Sequence, residues 1–554
     1  MKKNRGFTLI ELIAVVVILG IVALISIPMI MNVIDGAKKG AFKNTAYGII
    51  EAAKLDYAQD MLDKMADKVT FTYVDGIENS SVPGKKLDYK GEKPESGIVM
   101  VNRDGEVAIA VYDGKYCAEK DFQESVVKIS EKTKEECTII VSYADTSGAS
   151  SPELQQGMIP IKWDGSKWIK ADITNESGDN EWYDYGSQKW ANIALVTNST
   201  RANYVNAFVG SEIKENDIIA YFVWVPRYRY RLFNVDNLSV TEQKIEIQFE
   251  DKGTTKSNGS ENGQWLTHAA FTFGTRELNG IWVGKFETTG TDSFPTIKPN
   301  SLSLTNQNVN NQFATSQLFN NQSTYGLTSS SEARMMKNTE WGAVAYLSQS
   351  DYGKYGNPVY TGELGLEKEV YINNINSYTD TEAGPTITGC AGDTLYAAEV
   401  KSLTCPITNQ YTTNQGVKAS TTGNIYGIYD MVGGSWEYIM GAMYNSDNTT
   451  IMISDSGFDQ GTIDDPNMLK YIDKYLYGTT FDDQDAFNRR ILGDATGETR
   501  GWNNGPIRFA DSTYPWFRRG GRFSDGEGSG LFVFYRTSGI ETTNYTFRTV
   551  ITNE

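Results

Sequence analysis

Residues 1–34 read MKKNRGFTLIELIAVVVILGIVALISIPMIMNVI, and the order of the parts in this stretch decides how the rest of the chain is placed. Lys2, Lys3 and Arg5 precede Gly6, and Phe7 then opens an apolar run in which Glu11 is the only charge before Pro28. As a helix, the stretch from Phe7 to Pro28 spans about 33 Å, enough to cross the hydrocarbon core of a bilayer. Basic residues ahead of such a span stay in the cytoplasm, which predicts the bulk of the chain on the other side. An ordinary secretory signal places its small-residue cleavage site after the apolar stretch; here the small residue, Gly6, comes before it. Pro28 sits in a pattern that stays helical beyond it, so a kink or local melt is expected there. Ala46, Ile50, Ala53, Tyr57 and Met61 recur at three- and four-residue steps. They predict a helix to about Asp67 with an apolar stripe on which a small head packs.

Gly6-Phe7-Thr8-Leu9-Ile10-Glu11 resembles the leader-peptidase site of type IV pilins and pseudopilins. The resemblance is strongest over the first 40 residues. It implies cleavage after Gly6, N-methylation of the new N-terminal Phe7, and a requirement for Glu11 in assembly. It also implies a prepilin peptidase/N-methyltransferase and other pilin subunits as partners. The chain would be a single-pass protein of the cytoplasmic membrane before assembly, and would stand on the cell surface or a pilus after it. A carboxylate inside a bilayer costs several kcal/mol, a cost offset if Glu11 pairs with the freed Phe7 amine of a neighbouring subunit. A plain membrane anchor with an incidental glutamate is the alternative.

The remaining chain is acidic and β-rich. With 69 acidic and 51 basic side chains the formal charge is −18, the wrong sign for a general nucleic-acid binder. One histidine, His268, excludes a two-histidine zinc site or a His-to-His relay within one chain; in the run LTHAAFTF it reads as a strand-edge structural residue. The cysteines fall as Cys117 with Cys137 and Cys390 with Cys405, without CxxC spacing, so an exported chain would carry two local disulfides; buried free thiols are the alternative. Short β-branched and aromatic runs with Asp-Gly turns over 68–143 predict a small sheet head. The Ser/Gly-rich stretch 144–158 reads as a linker, followed by a β-rich region, 159–279. There the run YFVWVPRYRYRLF puts Arg227, Arg229 and Arg231 on one strand face and Tyr228 and Tyr230 on the other. The arginines suit an anionic ligand, or more plainly a solvated or ion-paired edge strand.

Five segments over residues 280–550 resemble, in order, the formylglycine-generating enzyme (sulfatase-modifying factor) family, a relative of the C-type lectin fold. They are GIWVGKFE (280–287), Thr339-Glu340-Trp341, GNIYGIYDMVGGSWEY (423–438), RRGGRF (518–523) and Tyr545-Thr546-Phe547-Arg548. The expected class is therefore α+β: a long pilin helix with a small antiparallel head, then a β-rich, loop-rich lectin-like domain at 280–554. In the enzymes, two cysteines after the RGGS segment bind copper; residues 524–548 contain none, which removes the metal site for that oxidation. The family's structural calcium would map onto Asp430, Gly433, Ser435 and Glu437, a mix of carboxylate and carbonyl oxygens that calcium prefers. Gly434 stands where the family has Asn. The alternative is that Asp430 caps a turn and Glu437 pairs with an arginine. The acidic residues Asp455, Asp464, Asp465, Asp482, Asp483 and Asp485 fit no EF-hand spacing and read as solvated loop charge.

These features favour a minor type IV pilin or pilin-like adhesin that displays a non-catalytic domain to an unknown glycan or protein ligand. A structural pilin with a decorative domain and a membrane-tethered enzyme are the other readings. Loops at 304–330 and 500–530 are expected to frame the binding face. Trp502, Trp516 and Arg522 are its expected contact residues, with burial of the tryptophans in the core as the alternative.

Overall fold

The apolar run and the stripe after it build one helix. In a computed structural model α1 (Leu9–Leu62) stays helical through Pro28, so of the expected kink or local melt the melt does not occur. A proline removes one N–H donor, and the helix continues on both sides of that single gap. The structure describes residues 8–553 apart from 63–68, 81–83, 102–104, 123, 138–143, 176–180, 233–244, 261–262, 358–369, 378–383, 397, 446, 448, 450–453, 477–489, 501 and 503–506, and only the backbone of 60–62. Gly6, Phe7, the Met61 side chain, residues 138–143 at the end of the expected sheet head, and Asp482, Asp483 and Asp485 lie outside the described residues. The chain divides into two compact units, residues 1–142 and 143–554. A long N-terminal helix followed by several antiparallel sheets makes the class α+β.

In the first unit, α1 buries Phe42, Ala46, Ile49, Ile50, Ala53 and Tyr57 against one face of an antiparallel sheet. The sheet comprises β1 (Val69–Val74), β2 (Ile77–Ser80), β3 (Ser96–Val101), β4 (Val107–Tyr112), β5 (Tyr116–Lys120) and β6 (Lys128–Glu131), ordered β2-β1-β3-β4-β5-β6. Phe71, Tyr73, Val99, Val101, Val107, Ile109 and Val111 supply the inward face. The β1–β2 turn is Asp75-Gly76, with φ of 50° and 76°, the paired positive dihedrals that a two-residue hairpin turn of the right twist requires. Cys117 and Cys137 are disulfide-bonded, with Cα atoms 5.5 Å apart.

The second unit is organised by a seven-stranded antiparallel sheet. Its strands are β7 (Ile159–Trp163), β8 (Trp168–Lys170), β9 (Asn192–Val196), β10 (Ile218–Pro226), β12 (Gly280–Gly284), β13 (Ser331–Met335) and β19 (Thr549–Asn553), in the order β13-β19-β12-β10-β9-β7-β8. Every residue of β10, IIAYFVWVP, is buried, as an uninterrupted apolar run in a strand covered on both faces should be. Because β10 pairs with β12 from Phe222↔Gly284 to Pro226↔Gly280, the expected division at residue 280 is not a boundary. Nor is 144–158 a free linker. Ser150 donates to the Asn279 carbonyl, Trp224 Nε1 donates to the Ser150 carbonyl at 3.1 Å, and Trp282 Nε1 donates to the Glu153 carbonyl at 2.8 Å. Small polar residues here strap the sheet by their backbone groups.

β11 (Tyr228–Arg231) has the expected alternation, with Tyr228 and Tyr230 buried. Its arginine side is ion-paired: buried Arg227 reaches Glu250 at 3.0 Å and Glu277 at 2.8 Å, and Arg231 pairs with Glu246. His268 is a core residue, not an edge one: it is fully buried among Tyr228, Tyr230, Phe271 and Tyr346. Its Nδ1 accepts from the Ala270 N–H at 3.2 Å, and burial pulls its pKa down to about 3. Part of the expected loop 304–330 is a helix, α2 (Val309–Gln317), which Asn308 caps by accepting from the Asn311 N–H. Cys390 and Cys405 are disulfide-bonded, with Cα atoms 5.8 Å apart.

A second sheet carries the remaining segments of interest. Its strands are β14 (Trp436–Tyr444), β15 (Asp473–Leu476), β16 (Trp516–Gly520), β17 (Gly530–Thr537) and β18 (Tyr545–Phe547); the order is β15-β14-β16-β17, with β18 also on β14. Helix α3 (Asn338–Ser348) is wholly buried, and its Trp341 donates to the Leu531 carbonyl at 2.8 Å.

Candidate functional site

Three places bear on function, and the first is the start of α1. Thr8 precedes the first helical residue and Glu11 is the third within it, the T-x-x-E arrangement of a capping box. The Thr8 N–H and hydroxyl each donate to Glu11 Oε2 at 2.9 Å, and the Glu11 N–H donates to Thr8 Oγ1 at 3.3 Å. The one carboxylate of the apolar run is thus held against its own helix end. Beyond it the side chains from Leu9 to Ile34 stand open, with Leu9 73 %, Ile10 79 % and Leu24 77 % exposed. A continuous apolar face of this length demands lipid or other chains as its solvent, and among the described residues α1 is the helix long and apolar enough to cross a membrane.

The second place is where calcium was expected. Successive residues of β14 point to opposite faces, so Glu437 and Trp436 take opposite sides of the sheet, both buried. Glu437 meets Arg548, whose Nε lies 3.1 Å from Oε2 and whose Nη2 contacts Oε1; both side chains are buried. Arg548 also donates to the carbonyls of Gly284 at 2.8 Å and Tyr429 at 3.0 Å. Asp430, with φ of 61°, accepts from Asn373 Nδ2 at 2.9 Å and from the Gly389 N–H at 2.9 and 3.0 Å. The Ser435 N–H donates to Glu287 Oε1 at 2.8 Å, and the Ser435 hydroxyl lies 3.1 Å from that of Ser303. Gly433 has φ of 74° and donates its N–H to the Gly520 carbonyl. The glycine standing where the resembled family has Asn has a steric reason: a Cβ on Gly434 would lie 2.5 Å from Glu287 Oε1.

Both oxygens of Glu437 face a guanidinium, and Asp430 accepts from amide donors. Three buried carboxyl groups gather here, Glu287, Asp430 and Glu437; the Arg548 guanidinium contacts Glu437 and acts on the other two only through its charge. Glu287 has no ion pair among the described residues; it accepts from the Ser435 N–H and the Thr386 hydroxyl. Burial first, then repulsion from Asp430 and Glu437, holds its carboxyl well above the usual range. The full chain in detergent is expected to melt at the same temperature in calcium and in chelator. A rise with calcium would show that Arg548 gives up its place to the metal.

The third place lies on one face of the second sheet. Trp516 and Arg518 of β16 share that face, where Trp516 joins a buried cluster with Tyr438 and Phe458, while Phe517 and Arg519 take the opposite face. Trp516 is fully buried and stacks on Phe458, and half-buried Trp502 packs on Phe532. Arg522 lines a groove. Beyond Trp516 the face opens into a groove of about 360 Å³ lined by Trp436, Arg518, Arg522, Asp525, Tyr535 and Tyr545, with Gly528 at its rim. The register explains the gathering, since Arg518 is opposite both Tyr438 and Tyr535, and Trp436 is opposite Tyr545. The Arg518 guanidinium lies 4.5 Å from the Trp436 ring, 4.6 Å from Tyr545 and 5.2 Å from Tyr535. Gly520 and Gly521, with φ of 85° and 81°, turn the chain so that Arg522 returns over the groove. A Cβ on Gly521 would strike Ser529 at 2.4 Å, so the turn tolerates no side chain. Arg522 Nε donates to Asp525 Oδ1 at 2.9 Å, and its N–H donates to Oδ2 at 3.0 Å.

Sequence reasoning missed Trp436, Arg518, Tyr535 and Tyr545 as groove residues and Glu287 as the third acid. A period-two reading of WFRRG would have set Arg518 on the face of Trp516. The partners come from strands far apart in sequence.

The family model described as "Prokaryotic N-terminal methylation motif" matches residues 1–27. No curated protein matches the chain. The motif, with the long apolar helix behind it, gives the chain a type IV pilin-like N-terminus.

Proposed function

We propose that the chain is a minor pilin or pilin-like surface subunit that displays a non-catalytic, ligand-binding head. The carrying observation is the union of an exposed apolar helix face, Leu9 to Ile34, with a head spanning residues 143–554. The helix supplies membrane insertion and then lateral packing with other pilins, with the head outside the cell after the positive-inside rule. A head of this size crowds a densely repeated shaft, which favours sparse or tip incorporation. The segments resembling the formylglycine-generating enzyme and C-type lectin fold support a display scaffold. The lack of cysteine in residues 524–548 supports binding over that family's oxidation chemistry. Immunogold imaging of a C-terminally tagged chain on intact cells is expected to show sparse labels at filament tips or scattered sites. Continuous decoration of shafts would favour a structural pilin with a decorative head.

A further inference from the structure

We propose that the groove of Trp436, Arg518, Arg522, Tyr535 and Tyr545 binds the carboxylate of an acidic sugar, a uronic- or sialic-acid residue of a surface polysaccharide. This rests on reading the head as a binding domain. Arg518 is a cation held between aromatic rings, and among the described residues it has no ion-pair partner and its Nε no hydrogen-bond partner. Burial pulls its guanidinium only down to about 10, so it is charged at neutral pH. Its neighbour Arg522 already has Asp525, which leaves the groove with one positive charge in a chain of net charge −18.

Guanidinium matches a carboxylate in a planar, two-pronged fashion. The half-buried rings of Tyr535 and Tyr545 offer apolar surface and phenolic hydroxyls suited to the C–H groups and hydroxyls of a pyranose, while Trp436 is buried with the guanidinium over its ring. A volume of about 360 Å³ lies at the small end of ligand sites and suits one or two sugar rings. A neutral sugar would leave the guanidinium unpaired. An acidic peptide would meet the charge but would not use the two tyrosine rings.

The test titrates the full chain in detergent with trigalacturonate and 3′-sialyllactose, with methyl-esterified trigalacturonate and lactose as uncharged counterparts and a hexaglutamate peptide as competitor. At least one acidic sugar is expected to bind, its uncharged counterpart at least tenfold more weakly, and binding should weaken with added salt. Arg518→Gln is expected to lose roughly ten- to hundredfold in affinity, the loss of a charge-assisted contact. Arg522→Gln, at the more open rim, serves as the second variant should Arg518→Gln misfold, and is expected to lose several-fold. Equal binding of the charged and uncharged sugars, unchanged affinity in both variants, or tighter binding of hexaglutamate would overturn the proposal. If purified chain adheres to bacterial or host surfaces yet binds no acidic sugar, this inference fails while the binding-domain reading stands; adherence to nothing removes both.

Discussion

Arg548→Met is expected to lower the stability of the residues 143–554 unit by about 3–5 kcal/mol, the cost of leaving a buried charge without its partner. The substitution keeps much of the side-chain volume but removes the donors to Glu437 and to the carbonyls of Gly284 and Tyr429. Three carboxyl groups are then left in one buried site with no cation. The shift is read from urea midpoints of the full chain in detergent, and a change below about 1 kcal/mol would contradict the network. Glu287→Gln should act in the opposite direction at neutral pH. The Glu287 pKa is raised above its ordinary 4.5 in the folded chain, so the unfolded chain releases this proton first as pH rises. Stability from this group is full below about pH 4.5 and falls above it, by up to about 1.4 kcal/mol per pH unit until the folded carboxyl ionises. Glutamine removes that slope while keeping an oxygen for the Ser435 N–H.

Glu11→Ala is expected to leave membrane insertion intact and to reduce the chain in the sheared surface fraction by at least about tenfold. The substitution makes the span more apolar, so insertion has no reason to suffer. It removes the carboxylate that a neighbouring subunit's amine would pair with, in a medium where an unpaired charge costs several kcal/mol. It also breaks the capping box with Thr8, worth about 1 kcal/mol at the helix end. Thr8→Val separates the two: it loses the hydroxyl contact but keeps the carboxylate, and should assemble far better than Glu11→Ala. Equal surface fractions for wild type and Glu11→Ala would contradict an assembly role for this side chain.

Local chemistry made much of this legible. The register of Gly6, Phe7 and Glu11 with the apolar run requires no knowledge of the rest of the chain, and the stripe from Ala46 to Tyr57 and the alternation of Tyr228 and Tyr230 follow from period alone. Composition was a poorer guide at 144–158. Serine and glycine suit a mobile spacer, but they suit equally a strap whose carbonyls receive Trp224 and Trp282. Long-range pairing was out of reach. Glu437 and Arg548 are 111 residues apart. Nothing local tells that Phe458 covers Trp516 while Trp436 stays at the groove. The glycine at 434 looked like a departure from a calcium turn, and is instead the position that makes room for the Glu287 carboxyl.

The central claim, a pilin-type N-terminus processed at its leader, is tested most directly by the intact mass of the chain taken from the cell surface. Loss of residues 1–6 together with one methyl group on Phe7 is the predicted result, with fragmentation placing the methyl on the new α-amine. A surface chain that retains Met1–Gly6, or one whose N-terminus lies beyond Pro28 after cleavage of an ordinary signal, would contradict the account.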